Sequence, residues 1–156
     1  MSIKYWCLGF VFSNSLRHVA LIKKARSLHI GLWNGLGGTI EGMEGFNCAM
    51  SREAKEEAGF KIHDWIRVGD LMGDDWNVAV FTYHDKGNGL CSLPLSQRPI
   101  ILHDYYNLDK WDPDKLAYIP LYYLPLLKSA PHLSMLVHAS LEKIKNPNLP
   151  PITIQV

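Results

Sequence analysis

The chain has 156 residues, 47% of them hydrophobic and 20% charged, with a formal net charge of +1. That length suits one domain with a buried core, and the even charge balance argues against a basic face for long nucleic acid. No apolar run approaches the ~18–20 residues of a membrane span.

Residues 3–12 (IKYWCLGFVF) and 18–24 (HVALIKK) are rich in β-branched and aromatic residues. With Ser13-Asn14-Ser15 between them they predict a hairpin. The apolar start lacks a basic prelude and a small-residue cleavage site, so it reads as a first strand rather than a secretory leader. Cys7, Cys48 and Cys91 are odd in number and far apart, without a zinc or disulfide pattern. They read as buried apolar thiols of a cytoplasmic protein. Residues 25–36 (ARSLHIGLWNGL) read as a loop entering Gly37-Gly38. From 46 to 58 a helix is predicted, because Phe46, Ala49, Met50 and Ala54 fall near i, i+3, i+4 and i+8, and Gly59 follows as its C-terminal glycine. Residues 61–72 and 77–84 predict two strands around Gly73-Asp74-Asp75, and 85–89 a turn. Residues 90–112 carry two prolines and read as a long loop or irregular strand. Residues 116–121 (LAYIPL) predict a strand running into Leu124-Pro125. Leu133, Leu136, Val137, Leu141 and Ile144 predict an amphipathic helix over 132–144. The tail, 146–156, holds three prolines and predicts no helix; it reads as an edge segment or a disordered end.

Chemistry concentrates between residues 38 and 60, GTIEGMEGFNCAMSREAKEEAGF. Glu53, Glu56 and Glu57 share one helical face. Like charges at these spacings repel by roughly 0.2–0.5 kcal/mol per pair even when exposed, so something positive should sit against them. All-oxygen ligation favours a hard divalent cation such as Mg²⁺. Alone, REAKEEAG would be an ordinary solvated helix face. Its surroundings argue otherwise: Gly38 is followed after five residues by Glu44, and after seven more by Arg52-Glu53, then Glu56-Glu57 and Gly59-Phe60. This resembles the signature of the Nudix hydrolase family, G-x5-E-x7-R-E-U-x-E-E-x-G-U, where U is a bulky apolar residue. All seven fixed letters match, with a chance probability on the order of 10⁻⁸ per register. Ala54 is smaller than the usual apolar residue, and Gly42 stands one place earlier than the customary loop glycine, where it predicts a positive φ.

The resemblance implies an α/β (α+β) fold, a mixed β-sheet sandwiched between α-helices, as a single domain over 1–156 with 146–156 as its Pro-rich tail. It implies hydrolysis of a nucleoside diphosphate linked to another moiety, with Mg²⁺ (or Mn²⁺) held by Glu53, Glu56, Glu57 and the backbone carbonyl of Gly37. Glu53 is either a ligand or the base that orients water, while Arg52 and Glu44 fix the carboxylates and the loop. A further acid is expected downstream at Asp112 or Asp114, with Asp104 and Asp109 as weaker candidates. Trp33-Asn34-Gly35 is similar to the branch that sanitises oxidised purine nucleoside triphosphates, where such an Asn helps to read the base. Asn34 and Gly38 are therefore candidate substrate contacts. The aspartate pair that reads the oxidised base in that branch has no clear counterpart here. The plainer alternative puts Trp33 in the core and leaves Asn34 turning the chain. Aromatics such as Trp76, Tyr83, Tyr105, Tyr106, Trp111 and Tyr122 are candidates for a base platform, although most of them read as core or strand-face residues. The expected partner is a nucleotide, foremost a nucleoside triphosphate cleaved to the monophosphate and pyrophosphate. ADP-ribose, a nucleotide sugar and a dinucleoside polyphosphate are rivals within the class, and a non-catalytic nucleotide-binding sensor is the rival outside it. The oligomeric state is open, a homodimer included.

Overall fold

Apolar residues of the strands alternate between two packed layers, so the sheet is buried on both faces. A computed structural model of the chain describes residues 2–24, 30–86 and 116–156. In chain order these form β1 (Lys4–Phe12), β2 (His18–Lys23), β3 (Trp33–Asn34), β4 (Leu36–Thr39), α1 (Phe46–Ala58), β5 (Ile66–Met72) and β6 (Trp76–His84). Then come β7 (Leu116–Pro120), a 3-10 turn at Leu121–Leu126, α2 (Leu133–Lys145) and β8 (Ile152–Gln155). The spatial order is β3-β2-β1-β6-β5-β8, with β4 on β1 and β7 on β2.

β1 is the centre. It runs parallel to β6 from Lys4 opposite Trp76 to Phe12 opposite His84. Its first half also pairs antiparallel with β4, and its end pairs antiparallel with β2, which closes the expected hairpin with Val11 opposite Ala20. Leu8, Phe10 and Phe12 gather with Val19, Leu21, Val80 and Ile119 in one layer, covered by Leu133, Leu136 and Val137 of α2. The intervening Cys7 and Val11 pack with Ala20, Ile22, Ala79 and Phe81 in the other, covered by Ala49, Met50 and Ala54 of α1. A one-residue slip of β1 would exchange these sets, so its register is strongly specified. The result is the expected mixed sheet between helices. None of the described helices is long and apolar enough to cross a membrane.

Several local expectations need correction. The strand expected over 61–72 begins only at Ile66. Ile62 and Trp65 are both buried in the α1 layer, and three residues apart they would point to opposite faces of a strand. The loop expected over 25–36 contains β3 and the start of β4, because fully buried Trp33 pairs with Lys23 of β2. Of the two readings of the Pro-rich tail the edge segment holds: β8 lies parallel to β5, from Ile152 opposite Gly69 to Gln155 opposite Met72. Its prolines precede the ladder, where their missing N–H is not needed. Cys7 is buried as expected, and burial pushes its thiol up to about 11, which makes it unreactive. Cys48 is exposed instead, because it lies off the Ala49–Met50–Ala54 stripe. The expectations for residues 87–89 and 90–112, and for Cys91, fall outside the described residues.

Gly69 makes the β5–β8 contact. A methyl group there would stand 2.0 Å from the Ile152 carbonyl oxygen, a distance no side chain tolerates. Gly69→Ala should therefore loosen β8 and destabilise the protein by about 1–3 kcal/mol, read from the chemical denaturation midpoint. An unchanged midpoint would contradict this seating of the tail.

Candidate functional site

The acidic helix is pressed onto β1 and β4 at two glycines. A methyl on Gly9 would lie 2.8 Å from the sulfur of Met50, and one on Gly38 would lie 2.5 Å from Glu53 Oε1. Lacking them, the Glu53 carboxylate rests directly against the β4 backbone. One turn further along α1, Glu57 Oε1 accepts the N–H of Gly37 at 2.6 Å. The helix stops at Gly59, whose left-handed φ of 72° lets its N–H return to the Lys55 carbonyl.

Arg52 ties this helix to the loop that precedes it. Its Nη2 donates to Glu44 Oε1 at 2.7 Å and its Nε to Glu44 Oε2 at 3.2 Å, a bidentate pair. Nη2 also donates to the Thr39 carbonyl at 3.0 Å, while Nη1 reaches Glu53 at 2.9 Å and Glu56 at 3.3 Å. Glu44 also accepts the Glu41 N–H at 2.8 Å, across the turn where Gly42 takes the expected positive φ, 53°.

Charge is unevenly distributed over the cluster. Glu57 is partly buried, and that desolvation raises its proton affinity; Lys24 and the Gly37 N–H work in the opposite direction. Hydrogen bonding from Arg52 foremost, then from the Glu41 N–H, lowers the Glu44 carboxyl. Arg52 is held still more firmly cationic, mainly by Glu44. Glu56 is the most open of the helix acids, with its side chain 58% exposed.

Gly37, Gly38, Glu44, Arg52, Glu53, Glu56 and Glu57 thus come together, but the acids are shared between two cations. Arg52 takes Glu44, Glu53 and Glu56, while Lys24 takes Glu57 at 3.2 Å. Accordingly, among the described residues no three His, Cys, Asp or Glu side chains are gathered around one point as a metal cluster. Lys24 was not anticipated; a lysine ending a strand thirty-three residues before Glu57 carries no local signal. Trp33 lies in the core, and Asn34, at the end of β3, accepts the N–H of Gly35 through its Oδ1 at 2.8 Å. Tyr83 and Tyr118 are buried, whereas Tyr122 is exposed. Asp104, Asp109, Asp112, Asp114, Tyr105, Tyr106 and Trp111 lie outside the described residues. Clefts of about 330 Å³ beside Phe46, Trp65 and Arg67 and about 280 Å³ beside Tyr5, Thr39 and Gly42 are lined by none of the acids of the cluster.

The Glu44 pair sets a pH dependence. Because its carboxyl is lowered from the usual 4.5, the pair contributes stability above that pH and loses it as pH falls through the folded-state value. Glu44→Gln should melt below the wild type at pH 7, and thermal melts should show the gap closing as the pH is taken below 4.5. A gap constant with pH would remove the ion pair as its cause.

No family model matches the chain, and no curated protein matches its sequence. Solved structures do match. A Nudix hydrolase from Nitrosomonas europaea superimposes with a TM-score of 0.71 at 14% identity, over 100% of this chain and 80% of its own. The Nudix domain of NrtR from Shewanella oneidensis, solved with ADP-ribose, gives 0.68 at 12% identity, over 92% and 89%. A MutT Nudix hydrolase from Burkholderia pseudomallei gives 0.63 at 19% identity, over 89% and 98%. In its eight-stranded mixed sheet and flanking helices, the chain has the Nudix fold.

Proposed function

We propose that the chain, as one domain over residues 1–156, is a Mg²⁺-dependent pyrophosphohydrolase, with Mn²⁺ able to replace Mg²⁺. Its proposed substrate is a nucleoside triphosphate. The observation that carries this reading is the seating of Glu53 and Glu57 on the Gly37-Gly38 backbone, with Arg52 locking the helix to Glu44. The donors suit a hard divalent ion, since carboxylates and a backbone carbonyl offer oxygen alone. The pairs that must open for such an ion are side-chain contacts at 2.9–3.3 Å, which rotamer changes release.

In this reading Glu53, Glu56, Glu57 and the Gly37 carbonyl hold the metal. Bound there, a divalent ion would offset phosphate charge and acidify the attacking water. Arg52 and Glu44 fix the carboxylate orientations. Glu53, if not taken up as a ligand, accepts the proton of that water. Water adds to one phosphorus of the bridge, the P–O–P bond breaks, and the monophosphate and pyrophosphate leave. Gly38 is the proposed backbone contact of the substrate. Asn34, its Oδ1 accepting from Gly35, directs its amide N–H donors toward a base, an oxidised purine among the candidates. Asp112 or Asp114 is the proposed additional acid.

A second reading, with ADP-ribose, a nucleotide sugar or a dinucleoside polyphosphate as substrate, is supported by the likeness to a domain solved with ADP-ribose. Incubation with Mg²⁺ and a nucleotide panel separates the readings, with phosphate assayed after added pyrophosphatase for the triphosphates and after added phosphomonoesterase for ADP-ribose and the other diphosphate-bridged substrates. Triphosphate turnover with release of pyrophosphate is the expected outcome. Glu56→Gln and Glu57→Gln should each lower that turnover by roughly 100-fold or more. Binding without turnover across the panel would replace the hydrolase with a non-catalytic nucleotide sensor.

A further inference from the structure

Lys24 has no part in the chemistry above, yet its ammonium touches two of the proposed metal donors at once. Nζ donates to the Gly37 carbonyl and to Glu57 Oε2, each at 3.2 Å. The side chain is only 13% exposed. Its starting point is held, because the Lys24 N–H donates to the Leu32 carbonyl and its own carbonyl accepts the Gly31 N–H. Glu57 Oε1 is occupied by the Gly37 N–H. The ammonium therefore spans the remaining carboxylate oxygen and the neighbouring carbonyl, a position of the kind a small cation would take.

We propose that Lys24 is a built-in competitor for the divalent ion, neutralising Glu57 in the metal-free protein and swinging away when metal binds. The proposal rests on the metal reading above. A divalent ion of this size binds oxygen at about 2.0–2.1 Å. With the ammonium still on the same two oxygens, the two cations would stand within a few ångströms and repel strongly. One displaces the other. The apparent metal affinity is then reduced by the fraction of molecules in which Lys24 holds the oxygens. A lysine suits the task because its ammonium is a point charge on a flexible stem, whereas the fork of Arg52 is locked onto Glu44.

Three variants test this: Lys24→Met, the charge control Lys55→Met on the exposed side of α1, and Glu57→Gln. Mn²⁺ binding is followed by the electron paramagnetic resonance of the free ion, and thermal melts are run in chelator and in saturating Mg²⁺. Lys24→Met should bind Mn²⁺ about 3–10-fold more tightly than wild type, and Lys55→Met should bind as wild type does. Lys24→Met should also melt below wild type in chelator, with the deficit erased by saturating Mg²⁺. Unchanged or weaker Mn²⁺ binding by Lys24→Met, or a deficit that persists in Mg²⁺, overturns the proposal. Equal tightening in Lys55→Met does so too, because it reduces the effect to general charge. Should Lys24→Met fail to fold, Lys24→Gln carries the same expectations. Wild-type binding that Glu57→Gln weakens upholds the metal site whatever Lys24→Met does; no Mn²⁺ binding by either the wild type or Lys24→Met overturns both.

Discussion

The site depends on how closely α1 lies on β1 and β4. Helices usually stand off a sheet by the depth of the side chains between them, and here two of those side chains are missing. Gly9 admits Met50, and Gly38 admits the Glu53 carboxylate itself. With the helix this close, Glu57 falls within hydrogen-bond distance of the Gly37 N–H. A β-carbon at Gly9 would push aside the end of the Met50 side chain, and one at Gly38 would displace the Glu53 carboxylate from its place against the β4 backbone.

Close approach creates an electrostatic problem, since it takes carboxylates partly out of water beside one another. Two cations of different character relieve it. Arg52 is structural: its fork engages Glu44 twice and the Thr39 carbonyl once, so the loop between β4 and α1 is bound to the helix. Lys24 comes from the far side, at the end of β2, and spans an oxygen of each layer of the site. One cation holds the frame and the other holds a place. The frame itself is anchored by β1, whose full-length parallel pairing with β6 and packing on both faces leave it little freedom to shift.

Legibility in the sequence followed the range of the interactions concerned. The bounds of α1 could be read because its apolar stripe repeats at spacings set by 3.6 residues, and the reach of Arg52 to Glu56 because the two lie one helical turn apart. The central strands were legible because each alternates over at least five residues. Where the backbone departs from a period, reading failed: Ile62 and Trp65 look like strand residues but are three apart and bury on one face. β3 and β8 are short and exist only because a neighbouring strand pairs with them. Asn34 was ambiguous because one amide serves a turn or a base equally well by composition.

What the sequence by itself determined is the helix of acids, its stop at Gly59, the glycine–glutamate–arginine spacing that resembles the Nudix signature, and the two-layer alternation of the sheet. Each is a local pattern, enforced by backbone geometry within a few residues. Only the tertiary structure decided how near the acids come to β4, that Glu57 is partly buried, and that Lys24 lies across it and Gly37. Those outcomes depend on distances between segments far apart in the chain, and no periodicity encodes them.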